Sequence, residues 1–270
     1  MPTTLSDGVR ISWQETGSGT PLLLCMGASY SSAMWYPAVS ALATSHRVIS
    51  FDNRGTGGSG WTSVASIEDM ASDALAVLDA AGERSAHVYG ASLGGVVAQQ
   101  IALQAPDRVR SLVLGCTGIL SEDKPRAPRW LRHLLRLPRP VLSALLSKSD
   151  PYGPACPADR AAVDRAVLAE EKPARQALVA QQDALRAYRV TREQVAALDV
   201  PALVLHGDAD TVVKHAWGEE LAATLPQARL VSYPGIGHNY LVGRGDEANA
   251  EVLAFLRSVD AVAPELQPAP

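Results

Sequence analysis

The pentapeptide Gly90-Ala91-Ser92-Leu93-Gly94 constrains this chain more than any other stretch, because it joins an apolar run over 85–89 to a helix-like stretch over 95–102. A G-x-S-x-G set between a strand and a helix is a nucleophile elbow. Its small flanking residues let the backbone turn sharply and hold the serine in a strained conformation, with the hydroxyl exposed at the C-terminal edge of a sheet. The helix that follows aims its N-terminus at the serine, where the dipole and free N–H groups favour developing negative charge. A Gly-rich turn that contains a serine by chance would read the same way, so the surrounding chain decides.

That chain alternates strand and helix signals. Residues 9–16 alternate in the manner of a half-exposed strand and end at Gly17-Ser18-Gly19, which predicts the first, antiparallel edge. Residues 21–26 form a continuous apolar run, as a strand covered on both faces requires, and lead into Gly27-Ala28-Ser29. Trp35, Val39 and Leu42 recur at near-helical spacing, and 47–51 returns as a strand, so a parallel crossover is expected. Ile67, Met70, Ala74, Leu75, Val77 and Leu78 fall on one face of a helix over 66–81 that Gly82 ends. The strand at 85–89, the elbow, a helix stopped by Pro106 and a strand over 109–116 follow. Further on come strands at 201–206 and 229–233 and helices at 214–225 and 246–258. This is an α/β pattern: an open, mostly parallel sheet with helices on both faces.

Between 118 and 198 the strand signals vanish. Pro125, Pro128, Pro138, Pro140, Pro151, Pro154, Pro157 and Pro173 interrupt a basic, helix-prone segment containing Trp130, Leu131, Leu134, Leu135, Leu142, Leu145 and Leu146. Amphipathic pieces need a surface to cover, and a helical cap over the C-terminal edge of the sheet supplies one; a separate helical interaction domain is the alternative. The expected division is a core over 1–117 and 199–260, a cap over 118–198, and a flexible tail over 261–270.

A net charge of −4 and 19% charged residues give no basic excess to attract nucleic acid or an anionic membrane, so neither is an expected partner. Cys25, Cys116 and Cys156 lack metal-ligand spacing and read as reduced thiols of a cytoplasmic protein. No signal-peptide pattern or bilayer-length apolar run is visible, which fits the same location. Gly55, Gly57 and Gly60 spell G-x-G-x-x-G, but Trp61 and the residues after it separate them from the next helix, which a dinucleotide-binding turn does not allow. The stretch is expected to be an irregular loop with Asp52 and Arg54 paired inside it. No pair of histidines or carboxylates sits at ligand spacing on one helix, so neither a metal nor another cofactor is expected.

Ser92, Asp210 and His238 each follow a predicted strand, and a parallel sheet presents such loops at one common edge. A serine hydroxyl needs a base within hydrogen-bond reach to act as a nucleophile near neutral pH, and imidazole has a suitable intrinsic pKa. The imidazole needs a carboxylate to fix its tautomer and stabilise its cation. Asp208 competes with Asp210 for that place, as do Glu122 and Asp123 after the preceding strand. Among the other histidines, His206 is expected to contact loop backbone and His215 to lie on the surface, while His46, His87 and His133 carry no turn signal.

Together Leu24-Cys25-Met26-Gly27, Phe51-Asp52-Asn53-Arg54-Gly55, Gly90-Ala91-Ser92-Leu93-Gly94, His206-Gly207-Asp208-Ala209-Asp210 and Gly235-Ile236-Gly237-His238 resemble the ordered motifs of the α/β-hydrolases. The match spans roughly 8–117 and 199–258 and leaves the cap outside. Met26-Gly27 is similar to the turn of the aclacinomycin methylesterase and enol-lactonase-like branch, where many other relatives have His-Gly. The resemblance implies Ser92 as nucleophile, His238 as base and Asp210 as acid, with the backbone N–H groups of Ala28 and Leu93 as oxyanion donors. It implies hydrolysis of a small or medium-sized carboxylic ester, lactone or thioester through an acyl-enzyme. A carbon–carbon bond hydrolase, a perhydrolase and a non-catalytic small-molecule-binding protein on the same fold are the alternatives. Serine at position 92, in place of aspartate, argues against haloalkane dehalogenase and epoxide hydrolase chemistry.

Overall fold

Apolar residues of both parities fill the strands, and the computed structural model, which describes residues 1–61, 65–125, 150–171 and 175–262, buries them on two faces. Leu22 and Leu24 of β3 (Thr20–Cys25) enter one core with Trp35, Tyr89 and Leu256. Leu23 and Cys25 enter the other with Met70, Val97 and Ile101. Successive side chains of a strand point to opposite faces, so a continuous apolar run demands cover on both.

Among the described residues the sheet has 8 strands in the order β1-β2-β4-β3-β5-β6-β7-β8. The remaining strands are β1 (Thr3–Ser6), β2 (Val9–Thr16), β4 (His46–Phe51), β5 (Ala86–Ala91), β6 (Val109–Gly115), β7 (Ala202–Gly207) and β8 (Ala228–Tyr233). Among the described residues only the β1–β2 and β2–β4 pairings are antiparallel. The parallel strands therefore present their C-terminal ends, and the loops after them, at one edge. The predicted edge strand at 9–16 is internal, because β1 pairs outside it through a hairpin at Asp7 and Gly8, both at positive φ (46° and 77°). Asp-Gly is the sequence signature of such a two-residue turn.

Helix α1 (Val39–Leu42) is a single turn. Helices α2 (Ile67–Ala80) and α3 (Leu93–Gln104) cover one face; α2 opens on a capping box in which Ser66 and Asp69 satisfy each other's backbone N–H groups. Between β6 and β7 the described residues form α4 (Ala158–Glu170), α5 (Arg175–Ala187) and α6 (Arg192–Ala196). Trp130, Leu131, His133, Leu134, Leu135, Leu142, Leu145, Leu146 and the tail from 263 onward lie outside the described residues. The chain then runs through α7 (His215–Thr224), the short α8 (Tyr240–Gly243) and α9 (Gly245–Val262). No helix among the described residues is long and apolar enough to cross a membrane.

The loop after β4 is irregular, and among its described residues no helix starts before Ile67. The expected pairing of Asp52 with Arg54 does not occur. Asp52 accepts hydrogen bonds from the N–H and hydroxyl of Ser32 and from the Gly58 N–H, each at 2.8 Å. Arg54 turns the other way and grips Asp73 of α2 with two bonds of 2.7 and 2.6 Å, its side chain 4% exposed and that of Asp73 1%. A guanidinium fork matches a carboxylate facing it across a packed helix better than one two residues away.

Removing one partner of such a buried pair strands the other charge, at a cost of about 3–5 kcal/mol. Urea unfolding is expected to place Asp73→Ala in that range. The apolar double variant Arg54→Met/Asp73→Leu should lose clearly less than the sum of the two single changes, and an additive result would contradict a coupled pair.

Candidate active site

Ser92 sits between β5 and α3 at φ 55° and ψ −117°, a region a side-chain-bearing residue rarely occupies. Two glycines make the conformation possible. A Cβ at Gly90 would overlap the carbonyl oxygen of Gly94, and one at Gly94 would overlap that of Cys25 on β3, so helix, turn and strand close on one another only with hydrogens there. The Ser92 N–H donates to Gly115 of β6 at 2.8 Å, and its carbonyl accepts from the N–H groups of Gly95 and Val96 at 3.0 and 3.3 Å. The turn is held from both sides.

The loops after β7 and β8 bring the other two predicted residues to this point. Nε2 of His238 lies 3.0 Å from Ser92 Oγ, and its Nδ1 lies 2.7 Å from Asp210 Oδ2. The second carboxylate oxygen, Oδ1, accepts from the N–H groups of Val212 and Val213 at 2.8 and 2.9 Å. His206, fully buried at the end of β7, shares Nε2–H between the Val213 carbonyl at 2.9 Å and Asp210 Oδ2 at 3.2 Å. His206 thus meets loop backbone, as expected, and braces Asp210 as well. Burial alone would raise the Asp210 carboxyl; the hydrogen bonds from His206 and His238 outweigh it and hold the group below the ordinary carboxylate range. Burial would lower His238; the Cys116 side chain and the Asp210 carboxylate beside it outweigh that and raise the imidazole above its ordinary value.

The competing carboxylates are occupied elsewhere. Asp208 accepts from the Gly235 N–H at 2.6 Å and so fixes the turn leading to His238. Asp123 pairs with Arg192 at 2.7 Å, and Glu122 lies 3.7 Å from Arg189. His215 reaches Ser232 Oγ at 2.8 Å with about a fifth of its side chain exposed.

Leu93 is the first residue of α3, where an N–H has no partner within the helix. Gly27 lies beside the elbow, since a Cβ there would come within 3.4 Å of Ser92 Cβ, and Ala28 follows it. Three polar residues from the segment between β6 and β7 fix the surroundings. Gln181 of α5, 1% exposed, accepts from the Ser29 N–H at 2.7 Å and donates to the Arg54 carbonyl at 3.2 Å. Glu171 accepts from the Ser31 N–H and hydroxyl at 2.9 and 2.6 Å. Asp164, fully buried on α4, accepts from the Tyr36 and Tyr152 hydroxyls at 3.0 and 2.9 Å and from Asn239, next to His238, at 3.3 Å. The sequence does not single out any of the three, because a polar residue on a helix or at its end carries the same signal whether it faces water or a loop.

A mostly parallel sheet, covered on both faces and bringing serine, histidine and aspartate into one hydrogen-bonded line at its C-terminal edge, is the architecture of an α/β hydrolase. The chain matches the alpha/beta hydrolase fold family over residues 20–243 and belongs to it. It is 31% identical over 271 residues to a protein of Azorhizobium caulinodans provisionally named carbamate hydrolase RutD, covering 96% of this chain and 100% of that one. Among solved structures it is similar to a hydrolase from Pseudomonas aeruginosa PA01, with a TM-score of 0.82 and 30% identity over 94% of this chain and 96% of the other. The enol-lactonase from Burkholderia xenovorans LB400 aligns with a TM-score of 0.81 and 25% identity, over 95% of this chain and 100% of the other.

Because Asp210 is one of the groups that raise His238, removing its charge should let the imidazole fall. Proton NMR of the His238 ring is expected to titrate above about 6.5, the ordinary histidine value, and at a lower pH in Asp210→Asn. A midpoint unchanged by the substitution would contradict that coupling.

Proposed function

We propose that the protein is a serine hydrolase that cleaves a small or medium-sized carboxylic ester, lactone or thioester through an acyl-enzyme on Ser92. One observation carries the reading: the unbroken line from Ser92 Oγ through His238 to Asp210, at 3.0 and 2.7 Å. His238 Nε2 takes the hydroxyl proton as Ser92 attacks the carbonyl carbon, and Asp210 stabilises the imidazolium that forms. The N–H groups of Leu93 and Ala28 receive the oxyanion, with the N-terminus of α3 adding its dipole. Collapse of the tetrahedral intermediate breaks the bond to the leaving group, which departs as an alcohol or thiol with the proton from His238. Water then attacks the acyl-enzyme by the same steps in reverse roles, and the carboxylic acid leaves.

The relatives support the substrate class without narrowing it to one bond. The name of the Azorhizobium caulinodans protein brings in carbamates, whose carbonyl undergoes the same attack and whose leaving group takes the same proton. The helices between β6 and β7 serve in this reading as a cover whose polar residues hold the loop carrying Ala28. The partner is a small molecule.

p-Nitrophenyl acetate, butyrate and octanoate are expected to be hydrolysed, and Ser92→Ala to lose about 10^4-fold or more in kcat. Turnover that survives in Ser92→Ala, or none on any ester, lactone, thioester or carbamate, would overturn the proposal. Neutral His238 is the required base and its pKa is raised, so kcat/KM should fall with decreasing pH through a midpoint above about 6.5. An acid limb below that value would contradict the assignment.

A further inference from the structure

At the opposite edge of the sheet from Ser92, where the parallel strands begin, two histidines and a carboxylate converge that the proposed hydrolysis does not use. His46 is the first residue of β4, His87 lies near the start of β5, and Asp260 comes from the last turns of α9. We propose that His46, His87 and Asp260 form a binding site for one divalent ion of the zinc type, an inference independent of the reaction at Ser92.

The donor atoms carry the proposal. Nε2 of His87 lies 3.0 Å from Asp260 Oδ1, and Nε2 of His46 lies 3.6 Å from Asp260 Oδ2. Tetrahedral zinc with ligands at about 2.0–2.1 Å sets neighbouring donors about 3.3 Å apart, a value these two separations bracket. One donor atom from each residue falls within 4.8 Å of the others, so binding draws the two rings together. Independently, His46 Nε2 is fully enclosed and has no hydrogen-bond partner among the described residues, although it faces Asp260. A buried ring nitrogen left unpaired is costly in an ordinary core and is what a ligand position presents before the ion arrives.

The surroundings of the rings suit ligation. His46 Nδ1 lies 3.0 Å from Ser45 Oγ, and His87 Nδ1 lies 2.7 Å from Ser111 Oγ. A metal-bound imidazole characteristically engages its other nitrogen with such a partner, which fixes ring orientation. On binding, the proton of neutral His87 moves from Nε2 to Nδ1 and the Ser111 hydroxyl changes from donor to acceptor, so no net proton is released. Burial holds both imidazoles below their ordinary pKa, His87 at about 4, which keeps them neutral at physiological pH. Two neutral imidazoles and one carboxylate suit zinc better than calcium or magnesium. Two cations oppose it: Arg110, 3.6 Å from Asp260 Oδ1, and Arg257, whose charge also acts on His46. Arg110 shares Oδ1 with His87 Nε2, and Oδ2 faces His46 Nε2, so an ion between the rings takes both oxygens of Asp260. Asp260 is about a quarter exposed and so offers the route in.

The test uses the full chain freed of metal with EDTA, titrated calorimetrically with zinc chloride and spectroscopically with cobalt(II). One saturable site with the visible bands of tetrahedral cobalt is expected. His46→Gln and Asp260→Asn should each weaken it by about 10-fold or more, while His215→Gln and His238→Gln leave it in place. X-ray absorption of the zinc-loaded wild type, which needs no variant to fold, should find two imidazoles among the ligands. The absence of a saturable site, its persistence in His46→Gln, its loss in His215→Gln or His238→Gln, or a shell with fewer than two imidazoles would each overturn the proposal.

Discussion

Everything at the C-terminal edge depends on the backbone of Ser92 being held where a serine does not rest by preference. A side-chain-bearing residue in such a region costs about 1–3 kcal/mol. Burial on α3 exceeds that: Val97 and Ile101 are fully enclosed against β3 and α2, and one such side chain contributes about 1.5–3 kcal/mol. The helix can pack so closely only because Gly90 and Gly94 leave room for the carbonyls of Gly94 and Cys25. The strain and the packing thus have one origin. The same close approach starts α3 directly after Ser92.

Charge at the site is ordered by a second set of constraints. Asp210 lies in a buried place that would favour its neutral form, and four donors, two backbone N–H groups and the rings of His206 and His238, make its charged form the stable one. Fixed in this way, the carboxylate orients His238. Gln181, Glu171 and Asp164 do comparable work from the other side, tying helices between β6 and β7 to loops at Ser29, Ser31 and Asn239. Polar bonds between elements distant in sequence fix positions more narrowly than apolar contact does, because each has a direction. In the described residues these polar links stand beside apolar ones: Tyr152 and Ala161 pack on Val242, and Ala184 and Tyr188 join the core that holds Val97.

Strand and helix order were legible because apolar runs bounded by Gly and Pro change period from element to element, and Ser92, Asp210 and His238 were legible because each follows such a run. What escaped shares one property: it depends on pairing across the fold. Strand β1 is four residues long and stands out only by the Asp7-Gly8 turn. Proximity in the chain pointed Arg54 toward Asp52, whereas the partner it finds is Asp73, 19 residues away across the α2 packing surface. His46, His87 and Asp260 come from two strands and a helix, so no spacing rule connects them.

The proposed hydrolysis stands or falls on Ser92, activated by His238, bonding covalently to the acyl group. Intact-mass spectrometry after exposure to a fluorophosphonate, which reports an activated serine whatever the natural acyl group, tests it most directly. One adduct per chain is expected, mapped to the peptide containing Ser92, absent in Ser92→Ala and strongly slowed in His238→Gln. No adduct, or an adduct on another residue that persists in Ser92→Ala, would contradict it.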